Sequence, residues 1–209
     1  MHLYFTPMSC SLASRMALCQ AGLDQETTFH QVILASKTLL DGSDYRTVSP
    51  KGQVPALLTR EGHLLTENAA VLQYIADLAP DSALAPAAGT FQRVKLQEWL
   101  SYISSELHKA IFYTIFNPGS PEEARTYARE TLAPPRLEWV NQQLAKRDFL
   151  LEDWGFSVAD AYLVTVLNWL QPAGLNLSDW PHLHAYHKRL NQLAAVARAV
   201  QEDYKLWAA

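Results

Sequence analysis

The fold is decided by residues 2–22, HLYFTPMSCSLASRMALCQAG. The run from His2 to Thr6 is β-prone and ends at Pro7, which predicts a short strand. From Ser11 to Ala21 apolar side chains recur at intervals of three and four residues, the spacing of one helix face. Gly22 is a typical helix stop. The stretch therefore predicts a strand, a short connection and a helix.

The residues that follow, up to about position 80, extend this unit into a small sheet. Thr27 to Leu34 is rich in Phe, Val and Ile and predicts a second strand. Residues 54–59 and 63–66 predict a hairpin around Arg60-Glu61-Gly62. Asn68 to Ala79 predicts a helix with one apolar side. The order β-α-β, loop, β-β-α indicates a mixed sheet with helices rather than a helical bundle.

Beyond Ala85 to Gly89, which has the composition of a linker, the pattern is almost entirely helical. Pro134-Pro135 must interrupt or kink the helix that contains it. Ser157 and Asp160 have the spacing of a reciprocal capping box, which marks a helix start. The predicted helices cover residues 91–116, 122–145 and 157–170, with more from Pro181 towards the C-terminus.

These patterns predict two domains. We expect an α/β domain over residues 1–80, a linker over residues 81–89 and an all-helical domain over residues 90–209.

The composition excludes several classes of function. The chain has 209 residues, a net charge of -4 and a pI of about 6.0, without the basic patch of a nucleic-acid binder. No apolar run is long enough for a membrane span, and the N-terminus does not resemble a secretory signal. Cys10 and Cys19 are too few for a disulfide framework. We expect a cytoplasmic protein with no nucleic-acid or membrane partner.

Cys10 lies between the first predicted strand and helix. Unpaired amides and the positive end of the helix dipole favour a thiolate at such a position. Ala13 stands three residues later, so this is not a Cys-x-x-Cys pair. Cys19 would lie roughly 13 Å along the helix, too far for a disulfide. Disulfide chemistry at Cys10 would therefore need an external thiol; a buried structural cysteine is the alternative.

Two further sequence features suit a peptide ligand, and the second of them matches the α-amino acid end of a γ-glutamyl group. A cis Val54-Pro55 bond would turn the amide and carbonyl of Val54 towards an extended peptide, whereas a plain edge-strand proline is the alternative. The amide of Asn68, at a helix start, suits a carboxylate, and the Glu67 side chain suits an ammonium. Taken singly, Glu67 and Asn68 are interpreted as helix-capping residues.

Together these features resemble the bacterial beta class of the glutathione S-transferase superfamily, nearly end to end. The order and spacing of the shared motifs are highly specific. The motifs are Leu3-Tyr4-Phe5-Thr6-Pro7 with Cys10-Ser11-Leu12, Leu34-Ala35-Ser36-Lys37, Thr66-Glu67-Asn68, Ser104-Ser105-Glu106-Leu107-His108-Lys109, Ser157-Val158-Ala159-Asp160 and Trp180-Pro181-His182-Leu183. The resemblance implies an α/β thioredoxin-like N-terminal domain, an all-α C-terminal helical domain and a homodimer.

The resemblance also implies the glutathione site. Cys10 and His108 would be catalytic, with His108 near the thiol, and Lys37 would lie near the glycine carboxylate. Glutathione would be a co-substrate, and no cofactor is implied. The implied glutathione-binding residues are Cys10, Lys37, Val54, Pro55, Glu67, Asn68, Ser101, Ser105 and His108.

Ser101, Ser105 and His108 are spaced four and three residues apart and so share one face of a helix. In the family this stripe adjoins glutathione, and some of its residues reach across the dimer. A solvated polar face is the alternative interpretation.

Two positions depart from the family pattern. Phe5 replaces a common tyrosine and lacks the hydroxyl that would donate to the glutathione sulfur, while Arg15 stands where histidine is usual. Tyr4 cannot replace that tyrosine, because adjacent strand residues face opposite ways. We therefore expect activity to rest on Cys10, the helix terminus and His108.

The expected second substrate is a small hydrophobic electrophile. Its candidate pocket residues, each also a core candidate, are Met8, Leu12, Phe112, Tyr113, Phe116 and Trp169. His182, His184 and His187 resemble metal ligands but lack a matching carboxylate or cysteine set, so no metal is expected.

The leading functional hypothesis is a transferase in which the glutathione thiolate attacks an electrophilic carbon. One alternative is thiol-disulfide exchange with glutathione through Cys10. The other is a non-catalytic glutathione-binding regulatory protein, although such a protein would be expected to lose Cys10 or the Glu67-Asn68 pair.

Overall fold

The computed structural model describes residues 1–208, which form two compact units. The first unit combines residues 1–85 with the C-terminal residues from Ala194 onward, and the second comprises Pro86–Leu193. The predicted domain limits, 1–80, 81–89 and 90–209, remain a prediction. Among the described residues 1–208, every helix is too short or too polar to span a bilayer.

The first unit contains a five-stranded mixed sheet, which confirms the predicted fold class for this part of the chain. The strands are β1 His2–Phe5, β2 Thr28–Ile33, β3 Thr38–Leu39, β4 Ala56–Leu58 and β5 Leu64–Thr66. They lie in the order β3-β2-β1-β4-β5. Strand β1 runs parallel to β2 and antiparallel to β4. The two-residue β3 was not predicted, because so short a strand has no detectable period.

The α-helices within residues 1–208 follow the predicted segments. They are α1 Ser11–Ala21, α2 Asn68–Leu78, α3 Phe91–Tyr102, α4 Thr114–Phe116, α5 Glu122–Tyr127, α6 Ala133–Gln143, α7 Val158–Leu167, α8 Pro181–Leu190 and α9 Ala194–Ala208. Helix α1 has the predicted limits and ends at Gly22 in the left-handed conformation, with φ 70°. A parallel β1–β2 pair requires a crossover connection, and α1 provides it.

The core of the first unit is formed by side chains of the sheet and of its helices. Leu3 of β1, Leu12 and Met16 of α1, and Leu72 of α2 are all completely buried. Helix α1 contacts both α2 and α9, so the C-terminal helix completes this core. A second apolar cluster contains Tyr4, which faces away from Leu3 along the strand.

The second unit is helical, as predicted, but two segments are wound more loosely. A π-helical segment, Ile103–Tyr113, joins α3 to α4, and another, Ala128–Leu132, joins α5 to α6. Pro134-Pro135 lie in the first turn of α6, where a missing backbone donor costs little. The predicted interruption therefore takes the form of a π-helical segment just before the two prolines.

The predicted capping box at the start of α7 is confirmed. The completely buried Asp160 carboxylate accepts from the Ser157 amide at 2.9 Å. It also accepts from the Leu150 amide at 2.9 Å and from the Tyr186 hydroxyl at 2.7 Å. These bonds connect the loop before α7 to α8 and compensate for burying a carboxyl group.

Candidate active site

Cys10 lies at the N-terminal cap of α1 and is 8% exposed. Its Sγ donates to the Val54 carbonyl oxygen at 3.2 Å. Only a protonated thiol makes this bond, whereas the amides at the helix start favour a thiolate. Cys10 and Cys19 are both free thiols. The structure therefore holds Cys10 where two opposing influences act on its proton.

The Val54-Pro55 peptide bond is cis, the first of the two alternatives that the sequence left open. Gln53, the residue before Val54, is also held in place, because the Tyr45 hydroxyl donates to the Gln53 carbonyl at 2.8 Å. Burial raises the pKa of Tyr45 to about 12, so this hydroxyl keeps its proton near neutral pH. In the segment that precedes β4, Tyr45 thus holds the Gln53 carbonyl and Cys10 holds the Val54 carbonyl.

Glu67 caps α2 with a left-handed backbone, φ 69°, and an exposed carboxylate. The Lys51 ammonium lies 2.6 Å from this carboxylate and also donates to the Thr66 hydroxyl at 3.0 Å. A side-chain ammonium therefore already binds the group that the sequence assigned to a ligand ammonium.

Asn68, the first residue of α2, is 93% buried, and its amide side chain is only half satisfied. The Ser14 hydroxyl donates to Asn68 Oδ1 at 3.1 Å. Asn68 is 7% exposed, and its Nδ2 has no hydrogen-bond partner within the described part of the chain. A buried donor without an acceptor costs about 1–3 kcal/mol, so an acceptor at this helix start would be stabilising.

Lys37 lies on the loop between β2 and β3 with a left-handed backbone, φ 59°. Its Nζ donates to the Gly52 carbonyl at 2.9 Å. Desolvation lowers the pKa of Lys37, and the nearby positive charge of Arg46 lowers it further.

The two departures from the family pattern, Phe5 and Arg15, lie in contact with each other. The Arg15 guanidinium carbon lies 4.8 Å from the centre of the Phe5 ring and 5.0 Å from that of Phe29. The guanidinium also pairs with two carboxylates of α9, those of Asp203 and of Glu202, the latter at 2.9 Å. A hydroxyl at position 5 is thus replaced by a ring face that suits a cation.

Asp203 connects α9 to the loop that leads to Cys10. Its Oδ2 accepts from the Met8 amide at 2.8 Å, and Met8 has a left-handed backbone, φ 58°. The carboxylate is completely buried; burial raises the pKa of Asp203, and Arg15 opposes that shift. Sequence reasoning missed Asp203, although an arginine on the apolar face of α1 signals a buried anionic partner.

His108, in the second unit, lies in an aromatic cluster. Its Nδ1 is 2.7 Å from the Tyr162 hydroxyl, and its ring centre is 5.0 Å from that of Trp169. Burial lowers the pKa of His108 to about 4, with a smaller contribution from Lys109. The imidazole is therefore neutral near pH 7, so it acts through hydrogen bonding rather than as a cation. Tyr162 was not among the predicted site residues.

The other two members of the polar stripe are exposed. The Ser105 hydroxyl donates to the Ser101 carbonyl of its own helix at 3.0 Å. Their part in glutathione binding remains a prediction, as does the polar-face alternative.

The predicted pocket residues differ in exposure. Phe112 and Leu12 have no accessible surface, as their interpretation as core residues predicts. Tyr113 is 47% and Phe116 44% exposed. The Phe112 ring centre lies 6.2 Å from that of Phe116 and 5.6 Å from that of Trp169, which makes an aromatic cluster continuous with His108. Met8, in the first unit, is partly buried.

The three C-terminal histidines do not form a metal site. His187 Nε2 is 2.7 Å from Asn168 Oδ1, while His182 and His184 are exposed. Within residues 1–208, no three His, Cys, Asp or Glu side chains are grouped so as to hold a metal ion.

Two family descriptions match the chain. "Glutathione S-transferase, N-terminal domain" matches residues 7–78, and "Glutathione S-transferase, C-terminal domain" matches residues 135–189. Glutathione S-transferase GstA of Escherichia coli O157:H7 is 41% identical over 203 residues, covering 97% of this chain and 98% of its own.

Solved structures agree with these matches. A bacterial beta-class glutathione S-transferase from Sphingomonas chungbukensis is 40% identical with a TM-score of 0.90, covering 97% of this chain and 98% of its own. A sphingomonad glutathione S-transferase complexed with glutathione has 40% identity and a TM-score of 0.91, with the same coverage. These findings confirm the resemblance to the beta class, the fold class and the predicted transferase function. The chain belongs to the glutathione S-transferase family and is a transferase enzyme.

Proposed function

We propose that the chain binds glutathione along the first unit and conjugates it to a small hydrophobic electrophile. The observation that carries this proposal is the start of α2, where Glu67 and Asn68 stand side by side. Glu67 presents a carboxylate for the α-ammonium of the γ-glutamyl group. The helix start and the unpartnered Asn68 Nδ2 supply donors for the neighbouring α-carboxylate. Both charges of one amino-acid end are thus matched within two residues.

The remaining groups of glutathione have partners further along the same unit. The backbone of Val54, before the cis Pro55, pairs with the cysteinyl amide and carbonyl of the peptide. Lys37 takes the glycyl carboxylate. The thiol lies at the start of α1 beside Cys10, where backbone amides and the helix dipole stabilise a thiolate.

In the proposed reaction the glutathione thiolate attacks an electrophilic carbon. A carbon–sulfur bond forms, the leaving group departs with its bonding electrons, and the thiol proton passes to solvent. Within the second unit, the exposed rings of Tyr113 and Phe116, with Trp169, suit an apolar molecule, and the imidazole of His108 is neutral.

We also propose a cytoplasmic homodimer. Phe91 and Val94 of α3 are 77% and 53% exposed and precede the polar stripe of Ser101 and Ser105 on the same helical segment. An apolar helix face of this kind suits a second copy of the chain. Light scattering at low micromolar concentration measures the mass, and a fully active monomer would contradict this part of the proposal.

The test of the glutathione site is a matched pair of variants. Glu67→Gln removes the charge that pairs the ligand ammonium and should weaken glutathione binding by about 1.5–3 kcal/mol, as for a charge-assisted hydrogen bond. Glu98→Gln is the control, because Glu98 also forms an exposed ion pair with a lysine, Lys95. Calorimetric titration measures both. Equal affinities for the two variants would place glutathione elsewhere.

A further inference from the structure

Two cationic side chains converge on Gly52, just before the cis peptide bond. Gly52 has a left-handed backbone, φ 58°, and a Cβ there would lie 3.3 Å from Lys37 Cδ and 3.8 Å from Arg46 Cγ. Lys37 also donates to the Gly52 carbonyl at 2.9 Å. The glycine thus leaves room for the two side chains to pass close to the same backbone segment.

Neither cation has an anionic partner. Within the described residues 1–208, no carboxylate lies within 4.0 Å of the Lys37 ammonium or of the Arg46 guanidinium. The closest acidic group in sequence, Asp44, uses its carboxylate to accept from the Arg46 backbone amide at 2.9 Å. Lys51 differs from both, since it pairs with Glu67.

Two like charges side by side repel each other, and an anion between them removes the repulsion. Desolvation lowers the pKa of the Lys37 ammonium, and the positive charge of Arg46 lowers it further. An ammonium has three donors, of which one is used on Gly52, and a guanidinium has five donors in a planar fork. This combination suits a carboxylate, which accepts from both.

We infer that Arg46 and Lys37 form a two-cation site for the glycyl carboxylate of glutathione. Arg46 makes the enzyme select peptides whose terminal carboxylate is free over those in which it is capped by an ester, an amide or a polyamine. This inference rests on the proposed function, in which Lys37 alone takes that carboxylate.

The experiment crosses two ligands with two variants of Arg46. The ligands are glutathione and its glycyl ethyl ester, and the variants are Arg46→Gln and Arg46→Lys, with affinities measured by calorimetry. Arg46 is exposed, so its contribution is that of an exposed charge pair, about two- to fivefold in affinity. Arg46→Gln should bind glutathione more weakly by that factor and should bind the ester with unchanged affinity. Arg46→Lys should keep at least half of the discrimination.

Other outcomes decide against the inference. An equal loss for both ligands would show that Arg46 does not contact the carboxylate, and no loss for either would leave the carboxylate to Lys37. Glu67→Gln separates this failure from failure of the proposed function, because it acts at the opposite end of the peptide. If Glu67→Gln changes neither affinity, glutathione binds elsewhere. If it weakens both equally, glutathione occupies the proposed site, and the losses of the two ligands in Arg46→Gln decide the inference.

Discussion

The two units of the molecule prepare for chemistry in different ways. The first unit presents separate charged and polar groups, each placed by a backbone feature: the cis bond at Val54-Pro55, the left-handed Glu67 and Lys37, and the start of α1 at Cys10. The second presents an aromatic cluster around His108, whose imidazole is kept neutral by burial. Groups of the first kind recognise one ligand, whereas groups of the second accept many.

The difference extends to what holds each set of groups. In the first unit a buried ion pair, Arg15 with Asp203, connects α1, α9 and the loop before Cys10. In the second unit a neutral hydrogen bond between His108 and Tyr162, together with ring contacts, holds His108. We therefore expect the first unit to be sensitive to loss of charge and the second to be sensitive to pH.

The largest effect should follow removal of Arg15. Arg15→Met leaves the buried Asp203 carboxylate without its cation, which should lower the free energy of unfolding by about 3–5 kcal/mol. Arg60→Met is the control, because the Arg60–Glu26 pair is exposed and should contribute about 1 kcal/mol or less. Urea denaturation measures both variants. A similar small loss in both would show that Arg15 does not sustain the first unit.

A structural feature could be predicted from the sequence when the residues that determine it lie close together along the chain. The limits of α1, its stop at Gly22 and the capping box of α7 were predicted, because each depends on residues within a few positions of one another. The two-residue β3 and the π-helical segment 103–113 were not, because propensity and periodicity do not resolve them.

The candidate site divides in the same way. The positions of Cys10, Val54-Pro55 and Glu67-Asn68 at element ends could be predicted from local patterns. The Arg15–Asp203 pair could not, since its members are 188 residues apart. Tyr162 and Arg46 were also missed, because a partner across the fold, or the lack of one, leaves no mark on local sequence.

The second prediction concerns pH. The pKa of His108 is lowered from 6.5 to about 4, so the unfolded chain binds more protons than the folded one between these values. The contribution of neutral His108 is complete above pH 6.5 and is lost as the pH falls towards 4, up to about 3 kcal/mol.

Urea denaturation of wild type and His108→Gln at several pH values between 7.5 and 4 tests this sign. The wild type should lose stability on acidification more steeply than the variant. His184→Gln, which changes an exposed histidine, should follow the wild-type profile. If the wild type and His108→Gln have parallel profiles, the imidazole titrates equally in the folded and unfolded chain.

The smallest of the three effects should be that of Cys10→Ala on conjugation. This variant tests how the first unit activates a thiol. The chain has two cysteines, and Cys19 is no resolving partner because it lies nine residues along the same helix. We therefore expect the oxidised form of Cys10 to be a mixed disulfide with glutathione. Its thiol also donates to the Val54 carbonyl, a group that we propose pairs with the ligand peptide. We therefore expect Cys10 to react with disulfides and the α1 amides and dipole to stabilise glutathione's own thiolate for conjugation.

Cys10→Ala should accordingly abolish the glutathione adduct and the disulfide reductase activity, while conjugation of an activated aryl halide stays within about tenfold of wild type, a barrier change of about 1.4 kcal/mol. Cys19→Ala is the control and should keep both activities, because burial raises the pKa of the Cys19 thiol and so disfavours the reactive thiolate. Intact-mass spectrometry after treatment with oxidised glutathione measures the adduct, and the two assays are run on all three proteins. Loss of conjugation in Cys10→Ala, with glutathione affinity unchanged, would make the protein thiol essential to both reactions. Charge groups of the first unit would then bind glutathione without activating it.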